Sequence, residues 1–344
     1  MKIAILGSGN IAETHAQALT ESSGYQLRGV YSPSGVNTAK FANKYQITAY
    51  ASFEELLRDK EIEVVSICTP SGLHASQIQQ IAQAGKHVLA EKPLAINLEQ
   101  AQQALSSCEA QQVFLGVFFQ RRLETGVQQL QSLLQSETLG KVFAASCQIN
   151  WYRSPDYYTM ANWRGTLALD GGGVVINQAI HYLDLLIQLF GSVSTVYADV
   201  GTYVQAIEGE DFALAQITFK SGVKVNFQAT TAAYPGFPSR LEIFASAGTA
   251  ILENEQLIAV HKLRAAQSTS QVLVTPAFSV DKAQSAKNTP QVSCSQHRQL
   301  YQQFKEQISA FSGYTPSYKR ELLQPIELVA AIYQSSREKR LIIL

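Results

Sequence analysis

Two polar side chains in this chain sit where ordinary packing does not call for them. Lys92 stands in Ala90-Glu91-Lys92-Pro93, at the end of an apolar run, with a carboxylate before it and a ring-locked residue after it. His181 follows the stretch Asp170-Gly171-Gly172-Gly173-Val174-Val175-Ile176-Asn177, and Asp184 comes three residues later. A helix starting at Val174 places Asn177, His181 and Asp184 on one face, at spacings of four and three. An imidazole exchanges a proton near neutral pH. An ammonium group donates to an oxygen and stabilises negative charge that develops there. Together they suit adding or removing hydrogen at a carbon–oxygen bond, with Asp184 expected to orient the imidazole and Asn177 to fix a neighbouring hydroxyl. A lone histidine is usually structural and a lysine usually solvated, so this reading rests on the company these two keep.

That chemistry needs a hydride carrier, and the start of the chain supplies a place for one. Gly7-Ser8-Gly9-Asn10-Ile11-Ala12 directly follows an apolar run and opens a helix-period segment. In this pattern the first glycine makes the tight turn, the second lets a pyrophosphate approach the backbone, and the small third residue lets helix pack on strand. The helix N-terminus adds N–H donors and a positive dipole end. Glycine patterns alone are weak evidence, but position between a first strand and a first helix strengthens this one. An acidic partner for the ribose 2′-hydroxyl is expected about 20 residues further on, and the chain has Tyr31-Ser32-Pro33-Ser34 there. Ser32 is the candidate ribose or 2′-phosphate contact, with Ser34 and Lys40 as neighbours, so NAD and NADP both remain open.

The elements that must position these residues follow from periodicity. Lys2–Leu6, Gln26–Tyr31, Val64–Cys68, Val88–Ala90 and Val113–Phe118 are short apolar runs of buried-strand type. Amphipathic stretches Ile11–Glu21, Phe53–Arg58, His74–Ala84 and Leu98–Glu109 alternate with them, which predicts an α/β Rossmann domain with a parallel, doubly wound sheet over residues 1–120. Lys92 then lies at a strand's carboxyl end, where open α/β sheets bind ligands. Beyond about residue 140, Lys141–Arg153, Thr195–Gln205, Asp211–Phe219, Val223–Ala232 and Arg240–Ala245 alternate apolar and polar residues, with a hairpin turn at Lys220-Ser221-Gly222. This predicts an α+β domain over residues 121–344 with a large, mainly antiparallel open sheet. Helix Ile180–Phe190 falls inside it. Residues 265–290, rich in Ser, Gln, Ala and Thr, are expected as a surface excursion, and helices Gln296–Phe311 and Pro325–Arg337 as a closing pair, the last packing back on the first domain.

Composition narrows the class. Lys+Arg and Asp+Glu are 27 each, so no global field draws nucleic acid or an anionic membrane. The four cysteines are dispersed and the six histidines scattered, which suggests neither a disulfide framework nor a metal site. No apolar run approaches a membrane span. The expectation is a cytoplasmic protein with a small-molecule partner.

Gly7-Ser8-Gly9-Asn10-Ile11-Ala12, Cys68-Thr69-Pro70 with His74, Glu91-Lys92-Pro93, the Gly171–Asp184 stretch and Ser335-Ser336-Arg337-Glu338 resemble the glucose–fructose oxidoreductase/inositol dehydrogenase/MocA (Gfo/Idh/MocA) family over nearly the whole chain. The resemblance implies an NAD(P)-dependent oxidoreductase acting on a sugar, nucleotide sugar or cyclic polyol. It implies that Lys92, often followed by a cis proline, and His181 are catalytic, with Asn177 beside them. Many relatives have an aspartate where this chain has Asn177, which puts a carboxylate–imidazole relay in doubt. Cofactor contacts are implied for Gly7, Ser8, Gly9, Asn10, Ile11, Thr69, Pro70, His74, Glu91 and Lys92. Arg122 matches a recurrent arginine at the domain junction, either an interdomain ion pair or a substrate contact. Arg153, Tyr157, Tyr158, Trp163 and Arg164 form an aromatic–basic cluster suited to stacking on a sugar and clamping hydroxyls or a phosphate, or to a subunit surface. Asn177-Gln178 with His181, preceded by Trp163-Arg164-Gly165-Thr166, looks like a subgroup acting on nucleotide-linked sugars, including UDP-N-acetylglucosaminuronate 3-dehydrogenases; simple sugar and inositol dehydrogenases keep comparable weight. The open sheet is implied as a homodimer or homotetramer surface. Two rivals stand beside the main reading: an NAD-dependent glycoside hydrolase on the same fold, and a non-catalytic NAD(P)-sensing regulator, against which Lys92 and His181 both count.

Overall fold

The computed structural model describes residues 1–263 and 294–344; the stretch 265–290, expected as a surface excursion, lies outside the described residues. The chain divides into two units, residues 1–120 with 294–326, and residues 121–263 with 327–344.

In the first unit, strands β1 (Lys2–Leu6), β2 (Gln26–Tyr31), β3 (Thr48–Ala49), β4 (Val64–Ile67), β5 (His87–Glu91) and β6 (Leu115–Phe118) form one sheet in the order β3-β2-β1-β4-β5-β6. Every neighbouring pair is parallel. Helices α1 (Asn10–Thr20), α2 (Gly35–Tyr45), α3 (Phe53–Arg58), α4 (His74–Gln83) and α5 (Leu98–Ala110) make the crossovers. Strands covered on both faces need apolar side chains throughout, and all four residues of β4 are buried. Strand order reverses between β1 and β4, so the carboxyl ends of β1, β4 and β5 flank the switch point where such sheets take a ligand. Those ends carry Gly7, Cys68-Thr69-Pro70 and Glu91-Lys92-Pro93.

In the second unit come helices α6 (Thr125–Gln135), α7 (Pro155–Thr159) and α8 (Ile180–Phe190). Its strands are β7 (Val142–Asn150), β8 (Val193–Gly201), β9 (Phe212–Phe219), β10 (Lys224–Thr230), β11 (Arg240–Ala245), β12 (Gly248–Glu253), β13 (Gln256–Lys262) and β14 (Ile342–Ile343). They form one sheet in the order β13-β12-β11-β7-β10-β9-β8-β14, antiparallel except where β7 and β10 run parallel. The β9–β10 hairpin turns at the expected place, with Gly222 at φ +89°. Ala213, Ala215, Ile217 and Phe219 of β9 are buried, and Phe190 of α8 meets Phe219 edge-on at 5.4 Å. The hydroxyls of Ser335 and Ser336 accept hydrogen bonds from the amides of Ala198 and Val200 on β8, both at 2.9 Å.

One boundary differs from the sequence expectation. The second domain was expected over residues 121–344 with its C-terminal helix packing back on the first; residues 294–326 belong to the first unit. Helix Cys294–Ser309 packs on α1, and its His297 and Tyr301 are fully buried there. The physical reason is a polar network that no short segment could satisfy alone. His15 on α1 contacts Glu91 through Nε2 at 2.9 Å, and His297 contacts the same carboxylate oxygen at 3.2 Å. His15 Nδ1 meets the Tyr301 hydroxyl at 2.7 Å and Ser66 on β4 at 3.2 Å. Burial alone would raise the Glu91 carboxyl, but hydrogen bonds from His15 and His297 outweigh it and hold it well below the usual carboxylate range. Burial holds the His15 imidazole down against that same bond. A neutral His15 thus donates to an ionised Glu91 and accepts from a hydroxyl at its other nitrogen.

Both shifts make the first unit lose stability in acid. His15 is held below 6.5, so as pH drops past that value the unfolded imidazole binds protons that the folded one refuses. Stability from the depressed Glu91 is complete above the ordinary carboxylate value of 4.5 and is lost as pH falls through its folded value. Glu91→Gln is expected to lower unfolding free energy at pH 7 by about 1–3 kcal/mol and to flatten the acid side of the stability profile. Denaturant titrations between neutral and acid pH measure both; an unchanged acid limb would show that Glu91 is not ionised in the folded protein.

Candidate active site

The cofactor turn is built as its glycines require. Gly7 has φ +115°, and a Cβ there would lie 2.5 Å from the Cys68 carbonyl oxygen, so both backbone and close approach demand glycine. Gly9 has an ordinary φ of −87°, and a Cβ there would meet no protein atom within 4 Å. The fold itself does not need a glycine at residue 9; what its bare backbone leaves open is room for a ligand at the first turn of α1. That helix has no side-chain cap, so its leading N–H groups and dipole face the same space. Ser8, Asn10 and Ile11 belong to this turn and are exposed or half-buried. At the end of β2, the Ser34 hydroxyl caps α2 by accepting from Asn37 N–H at 3.4 Å, which leaves Ser32 as the ribose-side candidate. These residues fit a dinucleotide pyrophosphate.

Two residues expected at the cofactor have buried side chains. His74 is 1% exposed, with Nδ1 2.7 Å from the Pro93 carbonyl and Nε2 2.9 Å from that of Thr69. It braces the loop after β4 against the loop after β5; burial, its dominant influence, holds the imidazole below its ordinary value, so one of the two contacts carries the single N–H of a neutral ring. Glu91 is likewise buried, its second oxygen accepting from the Lys92 N–H at 3.1 Å. Both residues also support the loop that carries Lys92: Glu91 accepts from its N–H, and His74 holds the carbonyl of Pro93, whose peptide bond with Lys92 is cis. Thr69 donates its hydroxyl to Gln77 at 2.6 Å, which sets the turn that Pro70 continues. His15, Glu91 and His297 also form a group of three potential metal ligands. Their spacing in sequence offers no sign of this convergence, and mutual hydrogen bonds account for each contact described above.

In the second unit, the stretch leading to His181 is not a uniform α-helix. Val175–Ala179 forms a π-turn, with Ala179 N–H bonded back to Val174 at 2.8 Å, and α-helix begins at Ile180. A π-turn re-phases the residues that follow and recurs at functional sites. Its entry is held by Glu210, whose carboxylate accepts from Gly173 N–H at 3.0 Å, Val175 N–H at 2.8 Å and the Tyr333 hydroxyl at 3.0 Å. A Cβ on Gly173 would lie 1.8 Å from the Glu210 carbonyl oxygen, so the glycine is there to admit this strand of chain. Burial pushes the Glu210 carboxyl up despite those N–H donors.

Asn177 donates its amide to Asp170, whose other oxygen accepts from Gly165 N–H at 2.9 Å. Asp184, expected to orient His181, receives a two-pronged grip from Arg122, Nε at 2.8 Å and Nη2 at 2.6 Å. Of the two readings for Arg122, the ion pair is what the structure contains, and both partners lie within the second unit. Next to it, Arg121 pairs with Glu255, and Tyr182 bonds the same carboxylate and Ser239. His181 itself is 7% exposed. Arg153, Trp163 and Arg164 gather with Trp151 and Tyr157 in one stack of guanidinium groups and rings. The buried polar residues that sequence reasoning missed are His15, His297, Tyr301 and Glu210; each has a partner at least 35 positions away, which no local pattern reveals.

Asn177 is matched to Asp170, so an aspartate here would face another carboxylate. One of the two must then hold a proton. Asn177→Asp is expected to cost about 1–3 kcal/mol of stability, most of it regained when Asp170→Asn is added. Thermal unfolding of both single variants and the double variant measures the coupling; a coupling near zero would show that the pair shares no hydrogen bond of consequence.

Comparison with known proteins agrees with this geometry. Residues 1–119 match the model described as oxidoreductase family, NAD-binding Rossmann fold, and residues 127–251 match the GFO/IDH/MocA C-terminal domain. The chain is 26% identical over 262 residues to myo-inositol 2-dehydrogenase of Thermotoga maritima, covering 74% of this chain and 75% of that one. It is 27% identical over 282 residues to 1,5-anhydro-D-fructose reductase of Ensifer adhaerens, covering 79% and 83%. The solved WlbA dehydrogenase of Bordetella pertussis, in complex with NADH and UDP-GlcNAcA, superposes with a TM-score of 0.84 at 26% identity, covering 100% of this chain and 97% of that one. With an NAD-binding turn at its first strand, Glu-Lys-Pro at its fifth and both domain models matched, the chain belongs to the Gfo/Idh/MocA family of oxidoreductases.

Proposed function

We propose that this protein transfers a hydride between a nicotinamide dinucleotide, NAD or NADP, and a carbinol carbon of a sugar, nucleotide sugar or cyclic polyol. The observation that carries the reading is the space at Gly9 beside an uncapped helix terminus, on the same sheet end as Lys92. The similar proteins are named for cyclic polyols and anhydrosugars or were solved with a nucleotide sugar, which supports that substrate range. When bound, the nicotinamide supplies the hydride acceptor. In the oxidising direction the hydroxyl proton passes to His181 as the carbon hydrogen departs, and the product is a ketone. Lys92 donates to the reacting oxygen and stabilises its developing charge, with its main chain held by Glu91 and His74. Asn177 fixes an adjacent hydroxyl, and Arg153, Trp163 and Arg164 contact the rest of the substrate. Arg122 contributes through its grip on Asp184, one turn beyond His181 on α8.

Lys92→Met and His181→Ala are each expected to lower turnover by about 10²–10⁴-fold, while affinity for NADH stays within a few-fold of the parent. A screen of sugars, polyols and nucleotide sugars followed at 340 nm, with NADH and NADPH titrated by fluorescence, provides the readout. Full turnover in both variants would overturn these roles. Cleavage of a nitrophenyl glycoside without net NADH would shift the reading to a hydrolase.

We also propose a homodimer or homotetramer formed through the open face of the second sheet. Tyr197 and Leu214 lie on that outward face at 46% and 42% exposure, two positions apart by strand register, an arrangement suited to a self-complementary contact. Leu214→Asp is expected to dissociate the oligomer in sedimentation velocity; a parent protein that sediments as a monomer would rule the contact out.

A further inference from the structure

The aromatic–basic segment ahead of the three glycines holds positive charge that no carboxylate among the described residues balances. The Arg153 guanidinium lies over the rings of Trp151 and Tyr157, at 5.4 and 5.2 Å from their centroids. Arg164 lies over Tyr157 and Trp163, at 4.2 and 5.7 Å. Tyr157 is therefore shared by two cations. Each arginine donates to a main-chain carbonyl: Arg153 to Tyr152 at 3.3 Å and Arg164 to Tyr157 at 2.8 Å. Among the described residues neither pairs with a carboxylate, whereas Arg121, Arg122 and Arg240 each do. The Nε atoms of both are buried with no hydrogen-bond partner among the described residues.

Stacking fixes the plane of a guanidinium but leaves its in-plane N–H groups pointing outward, and those are the groups that recognise carboxylate and phosphate two-pronged. A neutral hydroxyl could accept one such bond yet would leave two like charges gathered around one ring. An oxyanion satisfies the donors and the charge together.

The cluster is also tied to the His181 stretch from two directions within the second unit. Gly165, next to Arg164, donates to Asp170, and Asp170 takes the amide of Asn177. Trp151, beneath Arg153, meets the ring of Tyr182, the residue after His181, at 6.2 Å.

We infer that Arg153 and Arg164 together form a receptor for an acidic group of the substrate, the carboxylate of a uronate or the diphosphate of a nucleotide sugar. The word substrate here rests on the oxidoreductase reading above; the anion site does not. Removing one charged donor costs about tenfold to a hundredfold in affinity.

The test is calorimetric titration of the intact protein, saturated with NADH, with UDP, glucuronate, UDP-glucuronate and myo-inositol as probes. Arg153→Gln and Arg164→Gln are each expected to weaken anion binding tenfold or more. NADH affinity and the unfolding midpoint stay at parent values, and Arg164→Lys recovers only part of the loss because it restores charge without the planar fork. A drop confined to UDP and UDP-glucuronate assigns the pair to the diphosphate; a drop that includes free glucuronate assigns it to the carboxylate. The inference is overturned if none of the three anions binds better than myo-inositol, or if all three bind the two glutamine variants as well as the parent. Anion binding that depends on both arginines, with no sugar yielding NADH, keeps this site and removes the oxidoreductase reading. Turnover of neutral sugars with anion binding untouched by either substitution does the reverse.

Discussion

A single buried carboxylate organises the first unit. Glu91 ends the fifth strand in the interior, where an unpaired charge would cost several kcal/mol, and it is stabilised as His15 and His297 approach the same oxygen from two helices far apart in sequence. Meeting that requirement draws helix Cys294–Ser309 onto α1 and brings Tyr301 and Ser66 to the far side of His15. The other carboxylate oxygen takes the Lys92 N–H, so the residue proposed to face the reacting oxygen inherits its backbone position from the core. His74 performs the same service from the neighbouring strand end by spanning Thr69 and Pro93.

The second unit solves a similar problem with several carboxylates. Glu210 receives the N–H groups at the mouth of the π-turn, Asp170 takes Asn177 and Gly165, and Asp184 takes Arg122. Each acceptor is buried and each holds a different part of the stretch around His181. Replacing hydration with fixed N–H and guanidinium donors is how a low-dielectric interior keeps polar groups and rigidity together. Seen this way, the neutral Asn177 is a consequence of Asp170: with a carboxylate already in place, an amide completes the pair and a second acid would oppose it. Arg121 and Arg122, fully engaged with Glu255 and Asp184, set off the imbalance at Arg153 and Arg164.

Much of the architecture was legible in order of residues because its signals are local. Strand and helix periods gave both sheet types, and turn chemistry gave the hairpin at Gly222. The α2 helix escaped notice because Gly35-Val36-Asn37-Thr38 is a poor helix start by propensity, and only the Ser34 cap marks it. Strands β12 and β13 follow one another across the Asn254-Glu255 turn, where both non-glycine residues take positive φ and the usual glycine signal is missing.

What the sequence by itself determined is the set of groups able to do chemistry: the glycine turn, Lys92 before Pro93, His181 with Asn177, and the clustered arginines. Those are motifs, with meaning carried by residue type and short spacing. What only tertiary structure decided is which polar groups face inward. Glu91 is held by two histidines, His74 braces two loops, Asp184 takes Arg122, and residues 294–326 join the first unit. The reason is that a buried charge must find its partner wherever the folded chain brings one, and for Glu91 those partners, His15 and His297, lie 76 and 206 residues away in sequence.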